Sequence, residues 1–97
     1  MRILALDTAA QSCSVAILDD GSLLAELTRG NSTTHSRYLL GLIKTVCSIA
    51  DLKAGDVDGF AVTIGPGSFT GLRIGISTIK GLAFSLGKPV VGVSSLE

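Results

Sequence analysis

Phe60-Ala61-Val62-Thr63-Ile64, Gly65-Pro66-Gly67-Ser68-Phe69-Thr70-Gly71 and Leu72-Arg73-Ile74-Gly75-Ile76 follow one another as an apolar run, a glycine-rich turn and the opening of a helical pattern. A strand feeding such a turn and then a helix N-terminus is an arrangement that cradles anions. Free backbone N–H groups and the helix dipole point the same way there. Spacing tests the reading. A dinucleotide fingerprint places two residues between its second and third glycines, whereas three separate Gly67 from Gly71. A P-loop closes on Gly-Lys-Ser/Thr, whereas Leu72 and Arg73 follow Gly71 and the next lysine is Lys80. Both common nucleotide motifs fail. What remains is another kind of anion site or a tight turn, with Ser68 or Thr70 as N-cap and glycines that allow positive φ.

The helix beyond the turn carries two stripes. Leu72, Ile76, Ile79, Ala83 and Leu86 recur at helical spacing and form an apolar face suited to covering a sheet. Gly71, Gly75, Thr78, Leu82 and Ser85 form a neighbouring stripe of mostly small residues, which lets another helix backbone come close. Interior glycines cost roughly 1 kcal/mol each relative to Ala, a cost that close packing offsets. This helix is expected to be buried on two sides.

Working outward, Ile3–Leu6 and Cys13–Leu18 read as strands, and Asp20-Gly21 signals a hairpin turn into a third strand, Leu23–Leu27. A polar loop, Gly30-Asn31-Ser32-Thr33-Thr34, precedes a helix expected from His35 to Asp51, with Leu39, Ile43, Val46 and Ala50 on its core face. Tyr38, Leu42 and Ile49 widen that face, so this helix also has apolar surface in excess. Lys53 to Asp58 is a connection, and Pro89–Val93 is the fifth strand. The order is β-β-β-α-β-α-β. Right-handed crossovers then put the fourth strand beside the first and both helices on one face of a mixed five-stranded sheet, leaving the other face uncovered.

The composition fits such a half-covered unit. The 97 residues are 46% hydrophobic and 16% charged, with mean hydropathy +0.56. The charged share is well below the usual ~25%, which implies that more surface is covered than one domain covers alone. Ser94-Ser95-Leu96-Glu97 reads as a capping box opening a further helix. Residues 1–97 are therefore expected to form a single N-terminal lobe of a two-lobed protein, its C-terminal lobe absent from this chain.

Net charge is zero and there is no basic run, so no nucleic-acid footprint is expected. Cys13 and Cys47 have no CxxC spacing and read as buried thiols of a cytoplasmic protein. No apolar run reaches the ~18 residues of a membrane span. His35 is the only histidine, and Asn31 and Leu39 flank it at four residues' spacing, which makes a poor metal site. Asp7-Thr8-Ala9 after the first strand is the remaining candidate: a carboxylate there suits a hydrated divalent cation and nucleotide phosphates, or simply starts a turn. Topology raises the first option, since β-β-β-α-β-α opens the actin/Hsp70/sugar-kinase ATPase lobes, an analogy of fold only.

Met1 to Ala9, Cys13-Ser14-Val15-Ala16, His35-Ser36-Arg37 and the run from Gly65 to Gly75 together resemble the bacterial TsaB (YeaZ) family. The resemblance spans all 97 residues. It implies a ribonuclease H-like, actin/Hsp70-type fold and a cytoplasmic subunit that works with TsaD and TsaE to install threonylcarbamoyl on tRNA adenosine. In TsaD an HxxxH pair holds the metal, whereas here Leu39 stands four residues after His35. The resemblance thus implies a partner without catalytic residues or metal, pairing with TsaD, or with a second copy when TsaD is absent. The expected interface is Tyr38, Leu42, Ile49, Gly71, Gly75, Thr78, Leu82 and Ser85. On that basis Gly75→Glu is expected to block pairing and spare the fold. No cofactor is expected on this lobe alone. ATP is expected, if anywhere, at the partner junction, and the alternative of an ATPase or kinase lobe would place Asp7, Thr8 and Ser12 around phosphate. A metallopeptidase is the weakest reading. Neither direct tRNA binding by this lobe nor a membrane association is expected.

Overall fold

The computed structural model of the chain describes residues 1–8, 13–29, 36–65 and 69–94, with the backbone alone at 29, 36–38, 69–72 and 94. The described residues form five strands and two α-helices in the order the sequence implies: β1 (Arg2–Asp7), β2 (Cys13–Asp19), β3 (Ser22–Arg29), α1 (Ser36–Ile49), β4 (Gly59–Gly65), α2 (Phe69–Leu86) and β5 (Val90–Ser94). The sheet order is β3-β2-β1-β4-β5. β1 pairs antiparallel with β2 and β2 with β3, while β4 joins β1 and β5 joins β4 in parallel.

Alternation along the strands sorts the residues to two faces. Leu4 and Leu6 of β1, Val15 and Ile17 of β2, and Phe60 and Val62 of β4 are buried on one of them. Leu39, Ile43 and Val46 of α1 and Ile79 and Ala83 of α2 complete that core. α1 lies against β2 and β3, α2 against β4 and β1, and the helices touch each other. Among the described residues, the opposite face carries no helix. Its central row is Ala16, Ala5 and Ala61, in register across three strands and only half-buried. Val91 and Val93 of β5 are 58% and 49% exposed.

The local signals act as the chemistry dictates. Asp20 and Gly21 both have positive φ, 50° and 86°, the pairing a two-residue hairpin turn of the right twist requires. The α-amino group of Met1 bonds the Asp20 carboxylate at this corner, which holds the amine above its ordinary range and the carboxyl below its own. β3 carries one extra residue, Leu24, against β2, because Ile17 pairs with Ala25 and Leu18 with Leu23. That bulge has no sequence signature.

Both helices end in the same backbone motif. After α1, Asp51 takes φ 61°, its N–H reaches the Ser48 carbonyl (3.0 Å), and the Leu52 N–H reaches the Cys47 carbonyl (2.8 Å). After α2, Gly87 takes φ 68°, its N–H reaches the Phe84 carbonyl (3.2 Å), and the Lys88 N–H reaches the Ala83 carbonyl (2.9 Å). These are Schellman closures, which satisfy the last carbonyls of a helix through one left-handed residue. They also correct the expected reach of α1, which stops at Ile49 rather than Asp51 because Asp51 is the left-handed residue. The connection after it holds a short 3-10 turn, Ala54–Asp56, whose Asp56 carboxylate accepts the Lys53 N–H (2.8 Å). At the other end, α2 already includes Thr70, which rules it out as N-cap, and Ser68 lies outside the described residues.

The two closures predict substitutions of opposite sign. Gly87→Ala puts a Cβ into the left-handed region and is expected to cost about 1 kcal/mol. Asp51→Gly relieves the same penalty and is expected to raise stability. Thermal melts of the two variants check this, the first melting below and the second above the parent.

Candidate functional site

β1 delivers its last carboxylate, Asp7, to the carboxyl edge of the sheet. Asp7 is exposed and stands opposite Ser14 in register. With Ser14, Glu26, Thr63 and the alanines of the central row it borders a shallow depression of about 310 Å³ on the helix-free face. Thr8, the next residue, goes the other way: it is 1% exposed, and its side chain lies beneath α2 at Gly75. A carboxylate and a hydroxyl expected to share one phosphate are thus sent to different surroundings. Ser12, the third residue of that expected group, lies outside the described residues, as does His35. Among the described residues no three His, Cys, Asp or Glu side chains gather as a metal site would require.

The Thr8 contact reassigns Gly75. A methyl group at Gly75 would overlap the Thr8 hydroxyl and lie 3.2 Å from its Cγ2. The glycine is there so that α2 can seat on the end of β1, and Gly75 is buried. The expectation that Gly75→Glu would spare the fold therefore fails, since the first atom of any side chain already collides. Thr78 is likewise spent inside the lobe, at 8% exposure, with its hydroxyl donating to the Ile74 carbonyl (2.7 Å). Leu42 and Leu82 are partly buried against the core. Of the expected interface, Ile49 is 58% exposed and Ser85 is exposed, its hydroxyl donating to the Leu82 carbonyl (3.0 Å). Gly71 and Tyr38 fall in α2 and α1 where the backbone alone is described.

The outward face lies about a third of a turn from the predicted stripe. On α2, Ser77, Gly81 and Phe84 recur at four- and three-residue spacing and are all exposed, Phe84 at 87%. On α1, Gly41, Thr45 and Ser48 do the same, flanked by Leu40 at 40% and Ile49. Nothing lies within 4 Å of where a Cβ would stand on Gly41 or Gly81. An exposed phenylalanine on a helix face that also carries an exposed glycine leaves room there for another helix to come close. Phe84 belongs to neither stripe read from the sequence. Its distance from the Ile79–Ala83 stripe on a helical wheel is the signal that would have found it.

Both thiols are buried, and burial raises each above its ordinary value, with Asp7 adding to the effect at Cys13 and Asp56 at Cys47. A protonated, enclosed thiol is a poor nucleophile. No helix among the described residues is long and apolar enough to cross a membrane.

A family model described as TsaD, tRNA N6-adenosine threonylcarbamoyltransferase, matches residues 29–97. The tRNA threonylcarbamoyladenosine biosynthesis protein TsaB of Escherichia coli is 40% identical over 96 residues, covering 99% of this chain and 41% of that protein. The solved YeaZ of Pseudomonas aeruginosa superposes with a TM-score of 0.88 at 40% identity, over 98% of this chain and 44% of the other. The chain belongs to the TsaB/YeaZ family. It spans about two-fifths of the length of the TsaB proteins it matches. The tRNA N6-adenosine threonylcarbamoyltransferase of Kosmotoga olearia is 35% identical over 111 residues, 99% of this chain and 34% of that protein. A hexokinase from Thermus thermophilus (TM-score 0.62, 16% identity, 97% of this chain and 35% of that one) and an actin-like ATPase-fold protein from Bacteroides thetaiotaomicron (TM-score 0.61, 10% identity, 93% and 32%) share the fold alone. The chain thus has the ribonuclease H-like, actin-type fold that the family resemblance implied.

Gly75 gives a direct check of the reassigned helix face. Gly75→Glu is expected to destabilise the lobe by about 2 kcal/mol or more, because the collision with Thr8 cannot relax without lifting α2. A denaturant titration in which the variant matches the parent would return Gly75 to the outer surface.

Proposed function

We propose that this lobe belongs to a scaffold subunit, without catalytic residues of its own, of the machinery that makes N6-threonylcarbamoyladenosine in tRNA, and that it pairs with TsaD through the outward face of α1 and α2. The observation that carries the reading is the surface itself. Phe84 on α2 and Leu40 and Ile49 on α1 are each exposed, on two helices whose other sides are already packed. Large exposed apolar side chains set among small residues mark association surfaces, and aromatic anchors dominate their energetics. The choice of partner is supported by kinship: the chain is about as similar to a tRNA N6-adenosine threonylcarbamoyltransferase, at 35%, as to TsaB proteins, at 36–40%. Two related lobes present related helix pairs, and a helix pair packing on a helix pair closes a four-helix arrangement.

On this reading the lobe does no chemistry, and the Asp7 edge lies away from the pairing face. TsaE joins the paired complex. A second copy takes TsaD's place when TsaD is absent, and nucleotide, where it enters, does so at the partner junction. The subunit works in the cytoplasm, and tRNA contacts fall to the partners.

The full-length protein carrying Phe84→Ser tests the pairing. Truncating a central aromatic anchor costs about 2 kcal/mol or more, so binding to TsaD is expected to weaken roughly 30-fold or more. Depletion of the protein in cells should lower the threonylcarbamoyladenosine content of tRNA. Unchanged binding by the variant would remove the interface, and unchanged nucleoside content would remove the pathway.

A further inference from the structure

The helix-free face of the sheet holds a polar group that the fold leaves unsatisfied. Thr63 of β4 is only 9% exposed, and it lines the depression of about 310 Å³ at the carboxyl edge of the sheet. Among the described residues its hydroxyl has no hydrogen-bond partner. Buried hydroxyls are paired as a rule, by protein, by water or by a ligand. Register places the neighbours of Thr63. Ser14 stands opposite Asp7, and Glu26 stands opposite Ala16 of the alanine row, so hydroxyls and carboxylates border an apolar floor. The Ser14 hydroxyl lies 3.1 Å from that of Thr28, and when it donates there its own lone pairs stay open. Glu26 is exposed and has no ion pair or hydrogen bond among the described residues. No described residue that lines the depression is basic.

We propose that this depression binds a primary ammonium group on a short alkyl stem, held by Glu26 and Thr63, with the alanines beneath the stem. Charge decides the sign of the ligand. An anion would meet the carboxylates of Glu26 and Asp7 with no described lining cation to offset them. A hard divalent cation takes six or more oxygen ligands, whereas among the described residues no three His, Cys, Asp or Glu side chains gather. An ammonium group carries three donors and no acceptor, so it matches a carboxylate and hydroxyls that can accept. Ala5, Ala16 and Ala61 give apolar surface without bulk, which suits the methylenes of a stem. The volume lies at the small end of ligand pockets, so the stem is short. Such a group arrives as a free alkylamine or as a lysine side chain of a segment that covers the face. The depression lies across the sheet from α1 and α2, so it stands whether or not those helices pair.

Titrating the full-length protein with n-butylammonium near neutral pH, and with n-butanol as the uncharged probe of the same stem, tests this by ligand-detected NMR. If the group comes from a free amine, n-butylammonium is expected to bind at least about tenfold more tightly than n-butanol. Glu26→Gln should then weaken that binding at least about tenfold, and Thr63→Val roughly fivefold, both variants keeping the parent's circular dichroism. If a lysine of the chain already sits there, the probe does not bind. Carbodiimide treatment then couples the Glu26 carboxyl to a lysine amine as an amide, and the crosslinked peptide disappears in Glu26→Gln. Either result supports the ammonium site and names its source. Equal binding of the two probes, or n-butylammonium binding that neither variant alters, would overturn it. So would the absence of probe binding together with the absence of a crosslink from Glu26 to lysine.

Discussion

The parallel pairing of β1 with β4 is the constraint on which the rest depends. Leu4 meets Phe60 and Leu6 meets Val62 across that seam, and all four are buried. Once β4 lies beside β1 in parallel, each connection into and out of it is a crossover of fixed hand, which sends α1 and α2 to the same side. One face of the sheet is then filled by two helices and the other, with its row of Ala16, Ala5 and Ala61, is left half-open. Reversing the seam would separate the helices and dissolve the outward face they share.

Much of this was legible because the local rules agree with one another. The apolar runs, the Asp20-Gly21 turn and the two helical stripes fixed the element order and the strand neighbours. The bulge at Leu24 and the left-handed Asp51 were not legible: the first depends on cross-strand register, and the second on how a helix without a terminal glycine closes its last carbonyls. The candidate site was read less well. A stripe of small residues signals close approach without saying what approaches. For Gly75 the answer is Thr8, from a strand remote in sequence, and only the tertiary contact reveals it. Phe84 was missed for the complementary reason, since an aromatic in an apolar helix looks like core until the helix is docked.

On the proposed reading, function resides in what the sheet does not need. Sheet packing uses the inner faces of both helices, and Gly75 and Thr78 are consumed along with them. Among the described residues, what is left facing outward includes Gly41, Gly81, Ser48, Ser77 and Phe84. On the proposed reading, an aromatic side chain among small residues is what a partner helix packs against. Similarity to both TsaB and tRNA N6-adenosine threonylcarbamoyltransferase sequences supports the proposal that related helix pairs meet.

The central claim is that partners meet this lobe across α1 and α2. A benzophenone photo-crosslinker placed at position 81 on α2, and separately at position 91 on the helix-free face, tests it in the full-length protein mixed with TsaD. The account predicts a heterotypic crosslink from position 81 and none from position 91. A crosslink from position 91 alone would contradict it.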